Sequence, residues 1–230
     1  MFKAVLFDLD ETLLDRTNSL KDFFRDQALR FSCRYELGTE AALERFLELD
    51  ARGRVSKFDV YAQLIGEQIR SPLPSAEDLA KDYENNFWRY AKPFDGMETI
   101  REALKAHGAK LGIITNGQTH IQLRSLLALN LDPYADTYLI SEQAGLRKPD
   151  AAIFLRACNN LSANPSDCLF VGDSPEADIK GANAVGMKTV WFDNGATWPE
   201  NAAYTPDWKI QQLSELLDVF AAQGLETHDQ

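Results

Sequence analysis

Residues Lys3–Thr12 read KAVLFDLDET. After Lys3, four apolar residues run without a break into Asp8 and Asp10, two carboxylates separated by one leucine. An apolar run this short that does not alternate predicts a strand buried on both faces, as in a parallel sheet. Four more runs of the same kind follow: Lys110–Ile114 (KLGII), Thr137–Ile140 (TYLI), Cys168–Val171 (CLFV) and Lys188–Phe192 (KTVWF). Helical patterns surround and separate these four: Met97–His107 ahead of Gly108, His120–Leu129, Pro149–Asn159 and Pro175–Val185. The last two open with proline at a plausible first helical position. Strand–helix alternation predicts an α/β fold with a doubly wound parallel sheet.

Between the first and second runs the pattern changes. Residues 15–91 contain no strand-like run and read as helices over Leu20–Arg34, Thr39–Asp50, Ser56–Ile69 and Ser75–Tyr90. Ser56–Asp59 and Ser75–Asp78 have capping-box spacing, and Ser71–Ser75 (SPLPS) is a proline-bearing break. A loop of this length without structure is rare, so the block is expected to be a helical domain of its own. The predicted organisation is a core domain made of 1–14 and 92–230, with 15–91 inserted into it.

The chain has 230 residues, 45% of them hydrophobic and 26% charged, as a globular protein has. Its 24 Lys+Arg against 35 Asp+Glu leave a net charge of −11, which disfavours a nucleic acid polymer or an anionic membrane as partner. A small anionic substrate is still compatible, because a local patch of lysine, metal and backbone N–H can outweigh the global field. No apolar run approaches the roughly 20 residues that span a bilayer, and the start reads as a strand rather than a leader. Cys33, Cys158 and Cys168 have no metal-like spacing. Reduced thiols in a cytoplasmic protein are the expectation.

Open parallel sheets bind ligands beyond the carboxyl ends of their strands. The first run ends at Asp8-Leu-Asp10-Glu-Thr12, the second at Thr115-Asn116-Gly117, and the fourth at Gly172-Asp173-Ser174-Pro175-Glu176-Ala177-Asp178; the third leads to Lys148-Pro149. Four chemically loaded clusters are thus expected on one sheet edge. Asp8 and Asp10, two apart in extended chain, start on the same face. Carboxylates so close repel unless they share a cation, and with Asp173 they could hold a hard divalent ion such as Mg²⁺. Lys148 supplies a second positive charge. Thr115 and the N–H groups around Asn116 can donate to phosphate oxygens. The set suits in-line displacement at phosphorus, with one carboxylate as nucleophile and a second for proton transfer.

FDLDETL, TNG, KP and GDSPEAD, in this order and spacing, resemble the motifs of the haloacid-dehalogenase-like (HAD) hydrolase superfamily. The resemblance covers nearly the whole chain. It implies a Rossmann-like HAD core with an inserted all-helical cap domain of the C1 type. It further implies that Asp8 attacks phosphorus and becomes an aspartyl phosphate, and that Asp10 protonates the leaving oxygen and later activates water. Thr115, Asn116 and Lys148 would bind the phosphate. Mg²⁺ would be held by Asp8, the Asp10 carbonyl and Asp173, with Asp178 in support. Thr12 and Ser174 are secondary positioning candidates. Because the residue two after the nucleophile is Asp10, a leaving oxygen that needs an acid is implied. Phosphomonoester hydrolysis therefore ranks above carbon–halogen or carbon–phosphorus cleavage. The expected substrate is a small phosphorylated metabolite, a nucleotide or sugar phosphate. A phosphomutase of the same fold and a phospho-accepting signalling domain are the alternatives, and monomer and homodimer both stay open.

Other features carry less. His107 sits at a predicted helix end, His120 follows the TNG turn, and His228 belongs to no motif. Phe23, Phe24, Phe31, Phe87, Trp88 and Tyr90 are read as core of the helical block rather than a base-stacking platform. Arg52-Gly53-Arg54 is read as a solvated turn.

Overall fold

The computed structural model describes residues 2–68 and 74–222. The last residue of the predicted Ser56–Ile69 helix and the first part of the SPLPS break lie outside these residues, as does His228. In chain order the elements are β1 (Ala4–Phe7), α1 (Arg16–Arg30), α2 (Thr39–Asp50), α3 (Lys57–Gln68), α4 (Ala76–Asn86), α5 (Met97–Ala106), β2 (Lys110–Thr115), α6 (Thr119–Ala128), β3 (Thr137–Ile140), α7 (Ser141–Ala144), α8 (Ala151–Asn160), β4 (Cys168–Gly172), a π-turn (Pro175–Lys180) leading into α9 (Gly181–Ala184), β5 (Lys188–Phe192), β6 (Trp208–Ile210) and α10 (Leu216–Ala222). The chain divides into two compact units, 1–15 with 93–230 and 16–92.

In the first unit all strand pairings are parallel, in the order β3-β2-β1-β4-β5-β6. The chain winds outward from β1 to β3, then crosses back to lay β4 on the other side of β1. β1 and β4 therefore flank the switch point, where a doubly wound sheet opens a crevice. β1 is entirely buried. Its residues alternate between faces, so Ala4 and Leu6 join Phe154, Ala157, Cys158, Phe170 and Ala182 in one core cluster, while Val5 and Phe7 face the opposite way. Two covered faces explain why the run is continuously apolar.

The second unit is helical. Phe23 packs edge-on against Tyr83 (5.7 Å) and Phe87 (6.2 Å), and Phe46 lies between Phe24 (5.0 Å) and Tyr61 (5.1 Å). Of the expected core aromatics, Phe31 is half-buried and Trp88 is exposed, its Nε1 donating to the Asn85 carbonyl at 2.9 Å. Ser75 and Asp78 form a full capping box on α4. No helix among the described residues is long and apolar enough to cross a membrane.

Several expected boundaries moved, each for a physical reason. α1 begins at Arg16 rather than Leu20, because Asp50, 34 residues on, neutralises a buried arginine at 2.8 and 3.1 Å. It ends at Arg30 because Ser32 turns left-handed (φ 53°) and Cys33 N–H closes onto the Ala28 carbonyl at 2.9 Å. α8 starts at Ala151, not Pro149, since Asp150 is the better cap, accepting from Ala152 N at 2.9 Å. The single helix expected over Ser75–Tyr90 gives way after Asn86 to a 3₁₀ turn, Phe87–Tyr90. β6 and α10 were not anticipated; WKI is too short for a periodicity to show.

Asp50 is the electrostatic centre of the helical unit. Besides Arg16 it faces Lys57 and accepts from Gly53 N at 2.8 Å, which fixes a turn in which Ala51 and Arg52 are both left-handed. Burial alone would raise this carboxyl, but Arg16 and Lys57 hold it at about 2. A folded-state value below the ordinary one stabilises the fold above about pH 4 and loses that contribution as pH falls towards 2. The difference is worth about 2 kcal/mol. Asp50→Asn is expected to lower the unfolding free energy by a margin that is constant above about pH 4 and shrinks below it, measured by urea melts along a pH series.

Candidate active site

The parallel register puts the carboxyl ends of the strands on one edge. Asp8 follows β1 and is held beside β4, its N–H donating to the Val171 carbonyl at 2.9 Å. Asp173 follows β4, and the Trp191 indole N–H donates to its carbonyl at 2.9 Å. The π-turn brings Asp178 back over the end of β4. Ser174 caps the turn by accepting from Ala177 N at 3.2 Å, and its carbonyl receives N–H donors from both Asp178 (2.9 Å) and Ile179 (3.3 Å), which widens the turn. The returning carboxylate accepts from Ser174 N at 2.9 Å. It lies so close to Gly172 that a Cβ there would stand 2.4 Å from Asp178 Oδ2.

Lys148 completes the group. Its Nζ lies 2.6 Å from Asp8 Oδ1 and 2.7 Å from Asp178 Oδ1. All four side chains are buried, and Asp8, Asp173 and Asp178 each offer an oxygen within 4.8 Å of the others. Burial pushes the Asp8 carboxyl well above the ordinary range. Lys148 opposes that rise, and Asp178 and Asp173 add to it. Burial would lower the Lys148 ammonium, but the Asp178 and Asp8 carboxylates hold it above its usual value, so it is a fixed cation. With all three carboxyls ionised, as a bound cation would make them, one ammonium leaves two negative charges. That excess, carried by hard oxygen donors, fits a divalent cation such as Mg²⁺.

The remaining candidates take different places. The Asn116 side chain, expected near phosphate, is committed to the Lys148 backbone: Nδ2 donates to its carbonyl and Oδ1 accepts from its N–H, both at 3.0 Å. Thr115 is buried, and its hydroxyl donates to Gln122 Oε1 at 2.9 Å. The Asp10 side chain lies outside the three-carboxylate cluster and accepts from Gln122 Nε2 at 3.0 Å; the expectation for metal concerned its carbonyl. Thr12 is fully buried, with no hydrogen-bond partner for its hydroxyl among the described residues. His120 is exposed on α6. Gln122, Trp191 and Asn194, whose amide donates to the Glu11 carbonyl, were not singled out from sequence. They sit inside regular elements or past a strand end, where no local pattern marks them.

Comparison with known proteins agrees with this architecture. The family model described as haloacid dehalogenase-like hydrolase matches residues 5–192. A glyceraldehyde 3-phosphate phosphatase of Methanopyrus kandleri is 32% identical over 95% of this chain and 97% of its own length. A ribulose-1,5-bisphosphate 5-phosphatase of Halopiger xanaduensis is 34% identical over 95% and 99%. The HAD-hydrolase YfnB of Bacillus subtilis, solved bound to magnesium, superposes with a TM-score of 0.77 at 22% identity, covering 96% of this chain and 99% of that one, and shows the shared fold. With the strand order, the sheet-edge site and the family match together, the chain belongs to the haloacid dehalogenase-like hydrolases.

Proposed function

We propose that this protein is a Mg²⁺-dependent phosphatase of small soluble phosphomonoesters, acting through an aspartyl phosphate on Asp8. The observation that carries the reading is the buried Lys148 ammonium shared by Asp8 and Asp178 at the switch point, with Asp173 alongside. Asp8, Asp173 and the Asp10 carbonyl would hold the Mg²⁺, with Asp178 in support. The metal, when bound, offsets charge on the phosphoryl oxygens.

Asp8 attacks phosphorus as the bond to the ester oxygen breaks, and Asp10 gives that oxygen its proton. Lys148 binds the transferring group and favours the ionised form of Asp8 against its burial, while Thr115, its one hydroxyl hydrogen given to Gln122, borders the phosphoryl side. Asp10 then takes a proton from water as the water oxygen attacks the aspartyl phosphate. The products are inorganic phosphate and the original Asp8 carboxylate.

Asn116 acts here by placing Lys148. The helical unit, 16–92, is read as the cap that selects substrates. The relatives' names point to triose and pentulose phosphates among small esters. The net charge of −11 supports a small metabolite over a polymeric partner, and three thiols outside any disulfide support a cytoplasmic setting.

The test is a panel of sugar, three-carbon and nucleoside phosphates incubated with purified protein and Mg²⁺, scoring inorganic phosphate. Release from at least one ester is expected, silenced by EDTA and restored by Mg²⁺. No release from any ester, or rates unchanged in chelator, would overturn the reading.

A further inference from the structure

Gln122 stands on α6 and is 5% exposed. Its side chain folds back over the turn that follows β2. There it fills the place a side chain on residue 117 would take: a Cβ on Gly117 would lie 2.8 Å from Gln122 Cγ and Nε2. From that position the amide makes two hydrogen bonds in opposite senses. Oε1 accepts from Thr115 Oγ1 at 2.9 Å, and Nε2 donates to Asp10 Oδ2 at 3.0 Å. One planar group thus ties together two side chains from different strand ends, 105 positions apart in sequence.

Resting on the phosphatase reading above, we propose that Gln122 is a positioning residue for phosphoryl transfer, holding the Asp10 carboxyl at a set distance from the Thr115 hydroxyl. The two groups it joins serve the two ends of the breaking bond. Thr115 is on the phosphoryl side and Asp10 on the leaving-group side. A carboxyl on a short side chain has several rotamers open to it, and only one delivers a proton to the ester oxygen. A donor fixed by packing selects that rotamer before substrate arrives, and a misplacement of about 1 Å in such a group costs on the order of 100-fold in rate. The bond to Thr115 matters in a second way. The ionised Asp10 carboxylate, which only accepts, sets the amide's sense, and the Thr115 hydroxyl anchors the end left over by donating to it.

The experiment compares kcat/KM, which covers the steps up to release of the alcohol, for two substrates in wild type, Gln122→Leu and Gln122→Glu. One is a sugar phosphate that the wild type hydrolyses, whose alkoxide needs a proton. The other is p-nitrophenyl phosphate, whose phenolate leaves without one. Gln122→Leu removes both bonds at nearly constant volume, and Gln122→Glu removes the donor to Asp10 while keeping the shape.

In both variants kcat/KM for the sugar phosphate is expected to fall about 30-fold, and that for the aryl ester less than about 3-fold. Should Gln122→Leu fail to fold, Gln122→Glu carries the test by the same criterion. Equal losses on the two substrates, the mark of a merely structural role, or a wild-type ratio would overturn the assignment. If the wild type releases phosphate from no ester, the phosphatase reading falls and this inference falls with it. If the wild type is active but the ratio does not move, only the role of Gln122 falls.

Discussion

Asp8→Asn is expected to abolish turnover, by at least about 10⁴-fold, while leaving the metal-free fold no less stable than the wild type. The carboxamide keeps the shape of the side chain and an acceptor for Lys148, which stands 2.6 Å from Oδ1. It cannot act as the nucleophile. It also removes one of three buried carboxylates facing a single ammonium, and so relieves repulsion that the folded state carries. Thermal melts without divalent cation should therefore show an equal or higher midpoint for the variant. Adding Mg²⁺ should raise its midpoint less than it raises that of the wild type, because a ligand has been lost. Near-normal activity would remove Asp8 from the mechanism, and a lower metal-free midpoint would contradict the charge argument.

The second large effect is at Lys148. Lys148→Met leaves Asp8 and Asp178 buried without their shared cation. Removing one partner of a buried ion pair typically costs 3–5 kcal/mol, about 6–20 °C of melting temperature in a chain of this size. Turnover should be lost as well, since neither phosphate binding nor the ionisation of Asp8 survives. The direction of the cation response reverses relative to Asp8→Asn. With the ammonium gone the site is more negative, so Mg²⁺ should raise the melting midpoint of Lys148→Met more than that of the wild type. A variant that melts like the wild type would mean that the carboxylates are hydrated, not paired.

Runs such as β1 and β4 were legible because strands buried on both faces must be apolar throughout, and such a run needs no partner to be recognised; β3, read the same way, is an edge strand whose Thr137 is half-buried and Tyr138 exposed. The edge strand Trp208–Ile210 lacked that signal. Of its three residues Trp208 is half-buried, Lys209 exposed and only Ile210 buried. The clusters at the strand ends were legible for a related reason: a parallel sheet sends every carboxyl end to one side, so strand assignment alone predicts their neighbourhood. What the linear pattern could not convey was which polar atoms meet. Asn116 reads as a phosphate contact, and its side chain serves instead as a brace for Lys148, 32 positions on. Gln122 reads as one more polar residue on a helix, and its reach to Asp10 spans 112 positions. Arg16 reads as a charge before a helix, and only the fold supplies Asp50 to let it be buried. In each case the missing information is a long-range polar pairing, and such a pairing has no periodicity.

The brace on Lys148 has a consequence for what position 116 can hold. By pairing with both the N–H and the carbonyl of one residue, the Asn116 amide imitates an extra rung of the sheet beyond the end of β2. Such mimicry requires a donor and an acceptor side by side at the tip of a one-carbon stem, and only asparagine has them at that reach. Aspartate, its nearest isostere, would set oxygen against oxygen at the Lys148 carbonyl. Exchange at this position would then shift the lysine's main chain without touching a single charged atom of the site.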